Sequence, residues 1–107
     1  MHRFLYHALS ADTPSDQISE PPSLRSEGFI HCSFASDLRE SVRLYMADVP
    51  AIDVLCIDPT KLAETVLRVE ATPRGAMPHL FGKIPPDAIV WRKPFSALPE
   101  PLSDEMP

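Results

Sequence analysis

The octapeptide Glu27-Gly28-Phe29-Ile30-His31-Cys32-Ser33-Phe34 decides how this chain is read. It is apolar enough for a buried strand, yet it carries an imidazole and a hydroxyl two positions apart. Side chains alternate faces along a strand. Phe29, His31 and Ser33 therefore share one face, and Ile30, Cys32 and Phe34 share the other. Burying polar side chains costs free energy unless they find partners. The alternation thus predicts a core-facing side and, behind it, the floor of a polar ligand pocket.

Working outward, residues 3–9 read as a first strand, with Leu5 and His7 on one face and Phe4, Tyr6 and Ala8 on the other. Residues 10–26 are polar and carry Pro14 and the pair Pro21-Pro22, which predicts loop with room for a short helical turn. Residues 28–33 form the second strand. Ser36 is placed to cap a helix over 37–46, with Leu38, Val42 and Tyr45 as its buried stripe. Residues 52–57 read as a buried strand that Asp58-Pro59 stops, and residues 65–71 as a fourth strand. A loop over 71–77, a short extended piece at 79–81 and a last strand at 88–92 complete the pattern. Short strands with one clear helix predict a compact α+β fold with a largely antiparallel sheet. Residues 1–95 make one domain, and the proline-rich, acidic residues 96–107 read as a mobile tail.

The chain has 107 residues, enough for one domain with a real core. A net charge of −5 argues against non-specific binding to nucleic acid or to an anionic membrane. No apolar run is long enough to cross a bilayer, and the N-terminal residues lack the apolar core of a signal peptide. A cytoplasmic setting follows as the expectation, with Cys32 and Cys56 as buried free thiols. Neither common glycine-rich nucleotide fingerprint occurs.

His7, His31 and His79 each fall among apolar residues in or beside a strand. Singly, each reads as a structural histidine bonded to backbone. Together, three such burials in a small domain predict convergence on one pocket. His31 and Cys32 face opposite ways and cannot easily share a metal; no metal site is expected, with zinc on the three histidines as a lesser alternative. In the segment Met77-Pro78-His79-Leu80-Phe81-Gly82, Pro78 fixes the approach to His79, while Leu80 and Phe81 supply apolar wall. Glu70 reads either as a surface carboxylate beside Arg68 or as a carboxylate at the pocket mouth. At the mouth it would stabilise positive charge that develops as a glycosidic bond breaks.

The segments LYHAL, EGFIHCS, VLCIDP, RVE and PHLFGKIPPDAIV occur in this order. The chain in this respect resembles the small bacterial domain-of-unknown-function family 952, over residues 4–95. Phe81 stands where those relatives usually carry tyrosine. The family looks like a compact ADP-ribosyltransferase fold, and its nearest analogy is the NAD-using tRNA 2′-phosphotransferase. The resemblance implies that His7 holds a nucleotide ribose and that His31 and Ser33 line a nicotinamide pocket. It implies that Glu70 supports the departing bond. The proline-framed segment, read by itself, adds His79 and Phe81 as ligand-binding residues. The usual His-Gly-Thr after the first strand is here His7-Ala8-Leu9. Two readings result. One is an NAD-dependent ADP-ribosyl- or phosphotransferase-type enzyme with His31 and Glu70 as its catalytic residues. The other is a non-catalytic module that uses the same His/Ser pocket for a small ligand, or a protein-interaction surface.

Overall fold

The computed structural model describes residues 3–103. Six strands and two helices follow one another as β1 (Leu5–Ser10), α1 (Pro22–Glu27), β2 (Ile30–His31), α2 (Ala35–Tyr45), β3 (Ile52–Ile57), β4 (Val66–Thr72), β5 (Gly75–Phe81) and β6 (Ile89–Pro94). They form two antiparallel three-stranded sheets, ordered β1-β3-β6 and β2-β5-β4. The α+β, largely antiparallel architecture read from the sequence is the one observed, with its strands divided between two sheets.

The central strand β3 shows why its sequence is apolar without alternation. Leu55 and Ile57 pack toward β1 residues Leu5 and Leu9 and the β2–β5 core residues Ile30 and Leu80. Val54 and Cys56 pack toward Tyr6 and the α2 residues Leu38 and Val42. With both faces covered, Val54, Leu55, Cys56 and Ile57 all lie at 0% exposure. A strand buried on both faces loses the hydrophobic–polar alternation of a half-exposed one.

The two sheets, packed through this core, are linked by backbone hydrogen bonds at Cys32 and Ser33. Cys32 N–H donates to the Pro78 carbonyl at 3.1 Å, but proline has no N–H to return. The β2–β5 ladder ends there. The freed chain turns to β1, where Ser33 N–H donates to the Tyr6 carbonyl at 2.7 Å and Tyr6 N–H to the Ser33 carbonyl at 2.8 Å. Pro78 therefore sits inside a strand because it closes one ladder and lets the next begin.

The short helical turn allowed for within residues 10–26 is present: Pro22 opens α1, since proline is suited to a first turn whose N–H groups have no partner. Other sequence expectations are corrected. Helix α2 begins at Ala35 behind Phe34, so Ser36 lies inside the first turn and does not cap it. Tyr45 is 70% exposed and leaves the buried stripe to Leu38 and Val42. The expected loop over 71–77 is a tight hairpin, and the piece at 79–81 is the end of a seven-residue strand. Thr72 explains the hairpin: its Oγ1 accepts from Arg74 N–H at 3.1 Å and donates to the Gly75 carbonyl at 2.8 Å. Gly75 adopts φ +102°, which the turn demands and other residues resist. Residues 96–103 pack against the domain: Leu98 is buried with Tyr6 and Leu38, and the Tyr6 hydroxyl donates to the Ser103 carbonyl. The last four residues of the expected tail lie outside the described residues.

Candidate functional site

Strand register brings two histidines together. His31 and His79 are direct partners across β2 and β5. The neighbouring pair Cys32 and Pro78 carries the ladder hydrogen bond, which makes His31–His79 the non-hydrogen-bonded kind, where side chains lie closest. Their ring centroids are 5.4 Å apart, edge to face. Phe29 stacks on His79 at 4.3 Å and meets the His31 ring edge-on at 4.8 Å. Helix α1 ends on Gly28 in the left-handed conformation at φ +87°, which turns the chain straight into β2. That turn places Glu27 beside His31, with Oε2 2.9 Å from Nε2.

His79 and His7 are each oriented through Nδ1. His79 Nδ1 lies 2.8 Å from Glu70 Oε1, so this nitrogen donates to the carboxylate and Nε2 presents a lone pair in the neutral ring. Such a carboxylate fixes both tautomer and ring orientation. His7 Nδ1 donates to the His31 carbonyl at 2.7 Å. Burial pushes the His7 imidazole below its ordinary range, outweighing that hydrogen bond. His7 is therefore neutral with an acceptor at Nε2. Among the described residues no buried side-chain nitrogen or oxygen lacks a partner. Nε2, with no partner of its own, is accordingly open to the cavity that His7 lines.

The unfolded chain protonates this imidazole near its ordinary 6.5, whereas folded His7 does so only at lower pH. Between those values the unfolded state binds more protons, so stability falls as pH drops below about 6.5. Denaturant unfolding at pH 7.5 and 5.5 is expected to show a smaller acid loss in His7→Gln than in wild type. Equal losses would contradict this account of His7.

A cavity of about 980 Å³ gathers these groups. His7 comes from β1, His31 from β2, Ser33 from the bridge, and Met77 and His79 from β5. His7, His31 and His79 all line this one cavity, but the expected third burial is absent: His7 and His79 are buried, whereas the His31 side chain is 54% exposed. Glu70 and Phe81 are placed differently from the expectation: neither lines the cavity. Glu70, 42% exposed along its side chain, reaches the site through His79, because it lies diagonal to His79 on the same sheet face. Phe81 packs behind Phe29 at 5.5 Å and lies under the Arg68 guanidinium at 5.6 Å. Cys32 faces the core, where burial pushes its thiol up to about 12, while Cys56 is raised to about 11. Neither is a thiolate nucleophile at neutral pH. Among the described residues no group of three His, Cys, Asp or Glu side chains is arranged to hold a metal ion. No described helix is long and apolar enough to cross a membrane.

Sequence reasoning missed Phe29, Glu27, Ser41 and Arg74 as site residues. The strand alternation that pairs Phe29 with His31 was a usable signal. Ser41 and Arg74 became visible only when the hairpin turn and helix α2 met at the cavity.

Fold and site together define a small α+β domain whose two sheets enclose a histidine-lined cavity. The chain belongs to the family described as Protein of unknown function (DUF952), whose model matches residues 7–92. It is similar to the crystal structure of protein CC0527 from Caulobacter crescentus, at 20% identity and a TM-score of 0.69, over 95% of this chain and 93% of that one. A double mutant of the same Caulobacter protein matches at 19% identity and the same TM-score. At these identities the likeness is one of fold. No curated protein matches the chain.

Proposed function

We propose that this domain binds a nucleotide of the NAD or ADP-ribose kind in the histidine-lined cavity, as an ADP-ribosyltransferase-like domain. The observation that carries the reading is the arrival of three imidazoles, from two sheets, at one cavity of about 980 Å³. That volume lies at the upper end of small-ligand sites, which run from about 300 to 1,000 Å³. The mostly apolar lining suits a base or nicotinamide ring. The lone pairs at His7 Nε2 and His79 Nε2 suit donors such as ribose hydroxyls.

In this reading His7 is a neutral acceptor that orients the ribose. The Phe29 ring holds the His79 and His31 rings in place by packing on both. Glu70 is a positioning residue that fixes the His79 tautomer, and His79 is the group that receives or returns a proton at the ligand. NAD, when bound, supplies a glycosidic bond to nicotinamide that is already activated for cleavage.

A titration calorimetry experiment tests the binding claim. NAD and ADP-ribose are expected to give saturable heat with the wild-type protein. The absence of heat with both would overturn it.

The placement of Glu70 favours a second reading. Because this carboxylate works through His79 and does not face the cavity, the domain would hold its nucleotide without breaking it. Free nicotinamide detected by mass spectrometry after incubation with NAD decides for turnover. Unchanged NAD decides for a binding module.

A further inference from the structure

The hairpin end of the cavity holds a polar cluster that the nucleotide reading leaves unused. Arg74 sits in the two-residue turn between β4 and β5 and lines the cavity together with Ser33 and Ser41. Its Nη1 donates to Ser41 Oγ at 2.9 Å, and Ser41 Oγ lies 2.8 Å from Ser33 Oγ. The Tyr45 ring centroid, 5.5 Å from the guanidinium carbon, offers the cation a π face. Ser33, at 5% exposure, keeps its hydroxyl inside.

The hydrogens of this cluster do not balance. A guanidinium has five N–H donors and no acceptor, and each hydroxyl brings one hydrogen. One N–H goes to Ser41, and one hydroxyl hydrogen is used between the two serines. The second hydroxyl hydrogen and the remaining guanidinium N–H groups have no acceptor among the described residues. Arg39, Arg43 and Arg92 each have a carboxylate, whereas Arg74, like Arg25 and Arg68, has none among those residues. Glu40 feels the Arg74 charge but is already held by Arg43 through both oxygens.

The cavity is therefore polar in opposite senses at two places. His7 and His79 offer lone pairs at Nε2, and the Arg74 cluster offers surplus donors with a full positive charge. At a strand rise of about 3.3 Å per residue, Arg74 lies roughly 16 Å along β5 from His79.

The geometry points to a phosphate subsite formed by Arg74, Ser33 and Ser41, which takes a phosphoryl group of the ligand whose sugar hydroxyls lie at His7 and His79. The sugar half rests on the nucleotide reading above; the phosphate half stands on the Arg74 cluster alone. Planar guanidinium donors match phosphate oxygens in pairs, and charge-assisted bonds of this type are about twice as strong as neutral ones.

Calorimetric titrations of inorganic pyrophosphate, ADP-ribose and adenosine test the assignment in wild type, Arg74→Met and Arg74→Lys. Thermal melts check the fold of each variant, and Ser41→Ala stands in should Arg74→Met melt early. Arg74→Met is expected to weaken ADP-ribose by about tenfold to a hundredfold, to abolish the pyrophosphate heat and to leave adenosine unchanged. Arg74→Lys, which keeps charge without the planar fork, recovers part of the loss. Equal ADP-ribose affinity in wild type and Arg74→Met overturns the subsite and leaves the nucleotide reading standing. Pyrophosphate heat that depends on Arg74, without any ADP-ribose or NAD heat, supports the subsite and removes the nucleotide reading. No pyrophosphate or ADP-ribose heat in wild type overturns the subsite.

Discussion

Leu55→Ala is expected to lower the unfolding free energy by about 3 kcal/mol, within the 2–5 kcal/mol typical of buried leucines. Leu55 lies in the middle of β3, at 0% exposure, between Leu5 and Leu9 on one strand and Ile30 and Leu80 on the other sheet. The lost methyl groups leave a void that β-sheet neighbours on both sides hold open, so collapse recovers little. A domain of this size has about 5–15 kcal/mol to lose. The melting temperature should fall by roughly 15 °C, since about 1 kcal/mol shifts a small domain by 4–8 °C. Val69→Ala on β4, where the valine is 53% exposed, is the matched control and should change stability by less than about 0.5 kcal/mol. Urea midpoints measured side by side check both. A Leu55→Ala midpoint within error of Val69→Ala would show that β3 is not the centre of the core.

His79→Ala should weaken ADP-ribose binding about tenfold to a hundredfold, corresponding to the roughly 1–3 kcal/mol of leaving a buried polar partner unsatisfied. His79 is only 7% exposed, stacked on Phe29 and tied to Glu70. Removing the ring takes away both the Nε2 acceptor and the wall that Phe29 supports. Glu70→Gln should cost less, because the amide oxygen still accepts from Nδ1 and keeps the tautomer. An equal loss in both variants would move Glu70 from orienting His79 to contacting the ligand. No loss in His79→Ala would remove His79 from the site.

The alternation in Phe29-Ile30-His31-Cys32-Ser33 made the floor of the cavity legible, because period two follows from strand geometry alone. Ile30 and Cys32 are in the core, and His31 and Ser33 line the cavity. His7 was legible for the same reason, as the polar residue on the Leu5 and Leu9 face. What escaped was everything that depends on pairing. Pro78 looked like the frame of a loop because proline is rare within a sheet; only the crossing of the chain from β5 to β1 explains its place. Glu70 reads either as a surface carboxylate or as one at the cavity mouth, because spacing cannot say which diagonal neighbour a side chain will meet. The register shows that neighbour to be His79. Phe81 has no cavity wall to supply, since Phe29 takes the place in front of it. Arg74 was invisible as a binding residue because it is brought to Ser41 by contact between elements 33 residues apart in sequence.

The central claim is that three imidazoles surround one ligand. Ring carbon–proton NMR correlations of His7, His31 and His79, followed through an ADP-ribose titration, test it most directly. The account predicts that all three sets of ring signals move and saturate with a single dissociation constant. Signals that stay fixed, or that saturate with different constants, would contradict it.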